Sequence, residues 1–124
     1  MRRFVVLRHC LPDGTEHFDW MIEREASLTP DDRTLVTFRT ATLPCRADSF
    51  EAERIADHRS LYLQHEGVIV GGRGWVTRVA GGCADLIRLD ARSAVVRLHT
   101  DEQAVCLEGT SDDAIHYRFV RAPC

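Results

Sequence analysis

The stretch FVVLRHCLPDGTEHFDWMIE, residues 4–23, decides the fold of this chain of 124 residues. Residues 4–9 form an apolar run that ends in histidine and is typical of a strand. Residues 17–23 alternate apolar and polar side chains with the period of two that a strand requires. Pro12-Asp13-Gly14 between them is typical of a tight turn. The stretch therefore predicts a β-hairpin.

The polar face of this hairpin carries a candidate metal site. His17 and Asp19 are two residues apart, so a strand points both side chains to the same face. The turn folds the first strand back alongside the second and brings His9 near them. Two imidazoles and one carboxylate can bind a divalent ion and leave coordination positions open for water or substrate. The alternative is a solvated polar face without a ligand.

Composition predicts a cytoplasmic protein with one domain over residues 1–124. This length supports a single hydrophobic core, and the first residues lack the apolar stretch of a secretory signal. No apolar run is long enough to cross a membrane, so no membrane partner is expected. The net charge of −3 argues against nonspecific binding along a nucleic-acid backbone. The chain contains no lysine, which excludes Schiff-base and P-loop chemistry.

The cysteines predict reduced thiols. The chain has five of them, and none form a CxxC pair. An odd number argues against a disulfide framework.

The rest of the chain predicts a mainly β fold. Residues 34–43 are β-rich, residues 49–58 fit either a short helix or a strand, and residues 59–64 predict a helical turn. Further short strands are predicted at residues 68–70, 74–80, 84–89, 94–99, 104–108 and 115–121. Many short strands separated by turns favour a small antiparallel β-barrel, closed or partly open, with one or two short helices.

Two blocks of sequence resemble the 3′-phosphoesterase domain of bacterial DNA ligase D. In the first block, RFVVLRH at residues 3–9 is followed by His17-Phe18-Asp19 and closes with Glu23. In the second, DHRSLY at residues 57–62 precedes EGVI at residues 66–69, in the order that this family shows. Later strands match the family in more general terms. The similarity extends over most of the chain.

This resemblance implies a metal-dependent phosphoesterase that processes 3′ ends of DNA by removing a terminal ribonucleoside or a 3′-phosphate. His9, His17 and Asp19 would be the metal ligands, and His58 and Tyr62 would contact the scissile phosphate as catalytic residues. The expected metal is Mn²⁺, with Zn²⁺ or Co²⁺ as alternatives. The expected partners are a nucleic-acid 3′ end or another phosphoester, and a separate repair ligase or polymerase.

The chain departs from the family pattern at the phosphate-binding positions. Met21 stands where the family has an arginine, and Pro44-Cys45-Arg46 stands near the family's Pro-Lys-Gly segment. Arg46 is therefore expected to replace a phosphate-binding lysine. Glu23 is expected to support the ligands through hydrogen bonds. Because of Met21, two alternatives to an enzyme stay open: a module that binds metal or phosphate without turnover, and a barrel for an unrelated small molecule.

Overall fold

The first two strands form the predicted hairpin in the computed structural model, which describes residues 2–124. Strand β1 (Arg2–Cys10) pairs antiparallel with β2 (Glu16–Glu23), and His9 lies directly opposite His17. The turn is closed by backbone hydrogen bonds, among them one of 2.8 Å from the Leu11 N–H to the carbonyl of residue 15. This register confirms the predicted hairpin and aligns its polar residues.

Eight strands close into an antiparallel barrel. The other strands are β3 (Leu35–Thr40), β4 (Ser49–His58), β5 (Gly67–Val68), β6 (Trp75–Leu89), β7 (Ser93–His99), β8 (Ala104–Ser111) and β9 (His116–Ala122). The ring runs β1-β2-β3-β4-β9-β8-β7-β6 and returns from β6 to β1, while β5 pairs with β6 as an extra strand. The predicted antiparallel barrel is confirmed, in its closed form.

Helical structure in residues 2–124 is limited to one 3-10 turn, Ser60–Leu63, within the predicted helical turn. The ambiguous segment at residues 49–58 is a strand. No helix in this range has the length and apolar character needed to cross a membrane.

The predicted break between residues 80 and 84 is wrong, because β6 continues through Gly81 and Gly82. This long strand pairs with β1 as far as Ala84 and with β7 from Cys83 onward. A Cβ on Gly82 would overlap the carbonyl oxygen of His99. The glycine therefore permits a close backbone approach, and β6 can pass from one neighbour to the next without ending.

Aromatic side chains fill the barrel interior. The ring of Phe38 lies 5.4 Å from Trp20, 5.5 Å from Tyr117 and 5.3 Å from Phe119, measured between ring centroids. All four side chains are fully buried. Burial of one such ring contributes roughly 1.5–3 kcal/mol, and tilted or edge-on ring pairs add to this. This cluster joins strands from both halves of the chain.

A second apolar cluster covers the outer face of the hairpin. Val5, Leu7 and Met21 on the hairpin pack with Tyr62 and Ile69 from the segment that follows β4. All five side chains are buried. The hairpin is therefore covered on both faces, which accounts for the uninterrupted apolar run in β1. Residues 59–69, the covering segment, also form one wall of a cleft.

The expectation that all cysteines are reduced is wrong. Cys106 forms a disulfide with Cys124, and Cys10, Cys45 and Cys83 are free. The physical reason is strand register: Cys106 lies opposite Ala122 in the β8–β9 pair, so the chain end runs alongside β8. The two Cα atoms are 5.4 Å apart, within the range that a disulfide spans. An odd cysteine count leaves such a single pair possible.

Replacement of Phe38 by alanine tests the aromatic cluster. The lost contacts and the resulting cavity are expected to lower the free energy of unfolding by about 3–5 kcal/mol. Ile87→Ala is the control, because Ile87 is 59% exposed and is expected to cost under about 1 kcal/mol. Urea unfolding followed by tryptophan fluorescence measures both. A loss of equal size in the two variants would contradict the central role of the cluster.

Candidate metal centre

Three side chains of the hairpin converge on its outer face. His9 and His17 are direct cross-strand partners, and Asp19 follows two residues later on the same face of β2. One ligand atom of each residue lies within 4.8 Å of the ligand atoms of the other two. The imidazole centroids are 4.9 Å apart. The structure therefore brings together the three residues that the sequence predicts as ligands.

The hydrogen bonds of His9 determine where its proton lies. Nε2 is 2.7 Å from the carbonyl oxygen of Arg73, which can only accept, so Nε2 carries the hydrogen. Nδ1 is 3.2 Å from Oδ2 of Asp19. A neutral His9 would therefore direct the lone pair of Nδ1 at a carboxylate oxygen. The contact is favourable only when a proton or another cation lies between the two atoms.

The contact between His17 and Asp19 shows even more clearly that a cation is needed between a nitrogen and a carboxylate oxygen. Nε2 of His17 is 3.1 Å from Oδ1 of Asp19, yet their orientation does not form a hydrogen bond. Both atoms are buried and have no hydrogen-bond partner among residues 2–124. A buried polar atom without a partner costs about 1–3 kcal/mol. A shared cation would remove this cost from both atoms at once.

The spacing of these atoms suits a metal ion. Bonds of roughly 2.0–2.2 Å hold adjacent ligand atoms of one ion about 3.0–3.4 Å apart. The Asp19 oxygens lie 3.2 Å from the His9 nitrogen and 3.1 Å from the His17 nitrogen. The side chain of Asp19 is 5% exposed, and those of the two histidines are each 13% exposed. Two imidazole nitrogens and a carboxylate fit Zn²⁺, Co²⁺ or Mn²⁺.

A glycine holds the loop that orients His9. Gly74 has a φ of +87°, and a Cβ at this position would overlap the carbonyl oxygen of Cys10. The loop is closed by a hydrogen bond of 2.8 Å from the Ile69 N–H to the Gly74 carbonyl. Because only glycine permits this approach, the preceding carbonyl of Arg73 reaches the His9 ring. Sequence analysis cannot identify such a main-chain acceptor.

Two members of the cluster, His9 and Asp19, line an open cleft of about 450 Å³, and His17 lies beside them. His9, Asp19 and Met21 form its floor, His58 lines it from the end of β4, and Tyr62 lines it from the covering segment. The two sequence blocks that predict the site are thus adjacent in space, although residues 24–56 separate them in the chain.

His58 and Tyr62 form a pair at the wall of this cleft. Their ring centroids are 5.7 Å apart in an edge-on arrangement. Nδ1 of His58 lies 2.8 Å from the Ala56 carbonyl oxygen and therefore carries a hydrogen. This leaves Nε2 of His58 as the atom that can exchange a proton with a ligand.

Two residues predicted to support the site lie elsewhere. Glu23 accepts hydrogen bonds from the main-chain N–H and the guanidinium of Arg3, at 3.1 and 3.3 Å, and does not line the cleft. Arg46 lies in a different cavity, where its side chain is 72% exposed and 4.0 Å from Glu102. Glu23 is four residues beyond Asp19 on β2, too far along the strand to contact the ligands.

Three arginines that sequence analysis does not select line the cleft. Arg33 precedes β3, Arg59 follows β4, and Arg73 precedes β6. The carboxylates that line the cleft are those of Asp19 and Asp57, so positive charge is in excess. The chain as a whole has a net charge of −3. Only their scattered placement in the chain hides these arginines from a search for basic runs.

A Gly74→Ala variant tests how the loop orients His9. The added Cβ is expected to displace the Arg73 carbonyl and to lower the free energy of unfolding by about 1–3 kcal/mol. Nitrogen-15 NMR of the imidazole should then show that the Nε2–H tautomer no longer predominates in neutral His9. Gly72→Ala is the control, because its φ is also positive but its Cβ would meet nothing within 4 Å. Identical NMR spectra for His9 in both variants would contradict this role of Gly74.

Comparison with known protein families and with curated proteins gives no match to this sequence.

Proposed function

We propose that this protein is a metal-dependent phosphoesterase that acts on the 3′ ends of nucleic acids. One observation carries the proposal: buried nitrogen and oxygen atoms of His17 and Asp19 lack partners beside a cleft that is lined by Asp19 itself and by three arginines. Such atoms attract a cation, and such arginines attract an anion. The order of the two sequence blocks, which resembles ligase D phosphoesterases, supports the same substrate class.

His9, His17 and Asp19 would hold the metal. When bound, a divalent ion polarises a phosphoryl oxygen and increases the acidity of water. Mn²⁺ is the proposed ion, and the mixed nitrogen and oxygen ligands also suit Zn²⁺ or Co²⁺. The carbonyl of Arg73 orients His9 from the far side of its ring. A hydrogen bond of this kind fixes the ring and increases the basicity of the ligating nitrogen.

His58 and Tyr62 would act on the substrate phosphate. Nε2 of His58 can donate a proton or hydrogen bond when the ring is protonated, and it can accept one when the ring is neutral. Tyr62 also lines the cleft, and its hydroxyl is a second group that can donate a hydrogen bond. Donors placed where negative charge develops lower the barrier to phosphoryl transfer. We propose that these two residues serve this role.

One observation favours a second candidate, a binding module without turnover. Met21 is 1% exposed and belongs to the apolar cluster under the cleft, so the floor beside Asp19 offers no donor at that position. Loss of one strong donor to a transition state costs about 2.7–4 kcal/mol. Binding of a 3′-phosphorylated oligonucleotide without its cleavage would identify this alternative. A cytoplasmic location and a separate repair ligase or polymerase as partner remain predictions from the sequence.

A His17→Ala variant tests the proposed function. Removal of one ligand is expected to weaken Mn²⁺ binding at least about 100-fold and to abolish the release of a 3′-phosphate or terminal ribonucleoside from a DNA primer. Calorimetry measures the first and denaturing gel electrophoresis the second. His116→Ala is the matched control, because His116 is exposed and pairs with Asp113 outside the cleft.

The proposal fails if, with Mn²⁺, Zn²⁺ or Co²⁺ present, the unmodified protein cleaves neither a primer that ends in a 3′-phosphate nor one that ends in a ribonucleoside. Cleavage that persists unchanged in the His17→Ala variant would show that the metal centre takes no part in the reaction. Unfolding curves of both histidine variants check that the fold is intact.

A further inference from the structure

We infer that Arg33 and Arg73 grip the terminal phosphate of the substrate and make the cleft selective for a phosphate monoester. This inference rests on the proposed function. Arg33 extends from the loop before β3, and Arg73 extends from the loop between β5 and β6. The two residues supply, from the rim, the donors that buried Met21 cannot supply from the floor.

The ion pairs of the cleft leave these two guanidinium groups without a carboxylate. Asp57 is bound by Arg24, which lies outside the cleft, at 2.8 Å. Arg59 is 3.3 Å from Asp31 and lies over the ring of Tyr62. Neither Arg33 nor Arg73 forms an ion pair within 4 Å in the described part of the chain. Their charge is therefore available to an anion.

Main-chain contacts hold both arginines at the rim while leaving most of their donors free. Nη1 of Arg33 donates to the Asp57 carbonyl at 3.3 Å, and Nε of Arg73 donates to the Val70 carbonyl at 3.0 Å. A guanidinium has several further N–H groups, arranged as a fork that matches two oxygens of a phosphate. Both residues are exposed, so a ligand in solution can reach their remaining donors.

Arg73 also connects the proposed phosphate-binding arginines with the candidate metal centre. Its main-chain carbonyl accepts the hydrogen of His9 Nε2, so a residue that lines the cleft also contacts a proposed metal ligand through its backbone. The short loop from Ile69 to Gly74 fixes this backbone. An anion held by Arg73 would therefore share the cleft with His9 and Asp19.

The number of cationic groups indicates the substrate class. Two guanidinium groups and a divalent ion each engage at least one free phosphate oxygen. A phosphate monoester has three such oxygens, whereas a diester has only two. A monoester also carries more negative charge than a diester near neutral pH. The cleft is thus expected to prefer an end that carries a 3′-phosphate over an end that continues as a diester.

The test compares phosphate binding by Arg33→Gln, Arg73→Gln and unmodified protein, each with and without Mn²⁺. Inorganic phosphate is the first probe, and oligonucleotides ending in a 3′-phosphate or a 3′-hydroxyl are the second. Each substitution is expected to weaken binding of phosphate and of the 3′-phosphate end roughly 10- to 100-fold. Lysine at either position should restore part of the affinity, because it keeps the charge but loses the fork. Mn²⁺ affinity and the unfolding midpoint should stay unchanged.

Arg92→Gln is the control, since Arg92 lies in the turn between β6 and β7 and does not line the cleft. Unchanged phosphate affinity in either glutamine variant would overturn the two-arginine grip, even if the protein hydrolyses phosphoesters. Equal affinity for the 3′-phosphate and 3′-hydroxyl ends would overturn the monoester preference, as would absence of phosphate binding under both conditions. Arginine-dependent phosphate binding in a protein that neither binds metal nor cleaves a primer would support the grip while refuting the proposed function.

Discussion

The pairing of His9 with His17 across β1 and β2 is the constraint on which the rest of the site depends. In an antiparallel pair, a slip of one residue turns every side chain of the strand to the opposite face. Such a slip would place Asp19 in the aromatic core and Trp20 on the surface. The large apolar side chains inside the barrel therefore fix the register, and the register in turn fixes the ligands. Core packing and the convergence of His9, His17 and Asp19 therefore depend on the same register.

The outer covering of the hairpin turns a flat sheet face into a cleft. A barrel strand with one face in solvent would leave the His9 and Asp19 side chains hydrated, and their ionic contacts would be weak. The segment that carries Tyr62 and Ile69 packs on this face and removes much of that water. The carboxylate of Asp19 then lies beside two imidazoles with little solvent to share its charge. Its need for a cation follows from this burial.

Local sequence patterns account for the part of the site that lies in one hairpin. The spacing of His17 and Asp19, together with the turn before them, requires only short-range pairing, and the structure brings both residues to His9 as expected. Arg33 and Arg73 could not be predicted in this way, because they enter the cleft from loops distant in the chain. The continuous β6 strand and the Cys106–Cys124 disulfide likewise depend on strand pairings that only the closed barrel establishes.

Glu23 and Arg46, which the family resemblance predicts to support the site, do not line the cleft. Glu23 occupies the expected motif position, but its carboxylate forms an ion pair with Arg3 at the end of β2. Arg46 has suitable chemistry but lies on another side of the barrel, near Glu102. A charge that is needed at one point in space can be supplied by any element that reaches it. Methionine at position 21 on the floor is therefore compatible with an anion site, provided that the rim loops supply the charge.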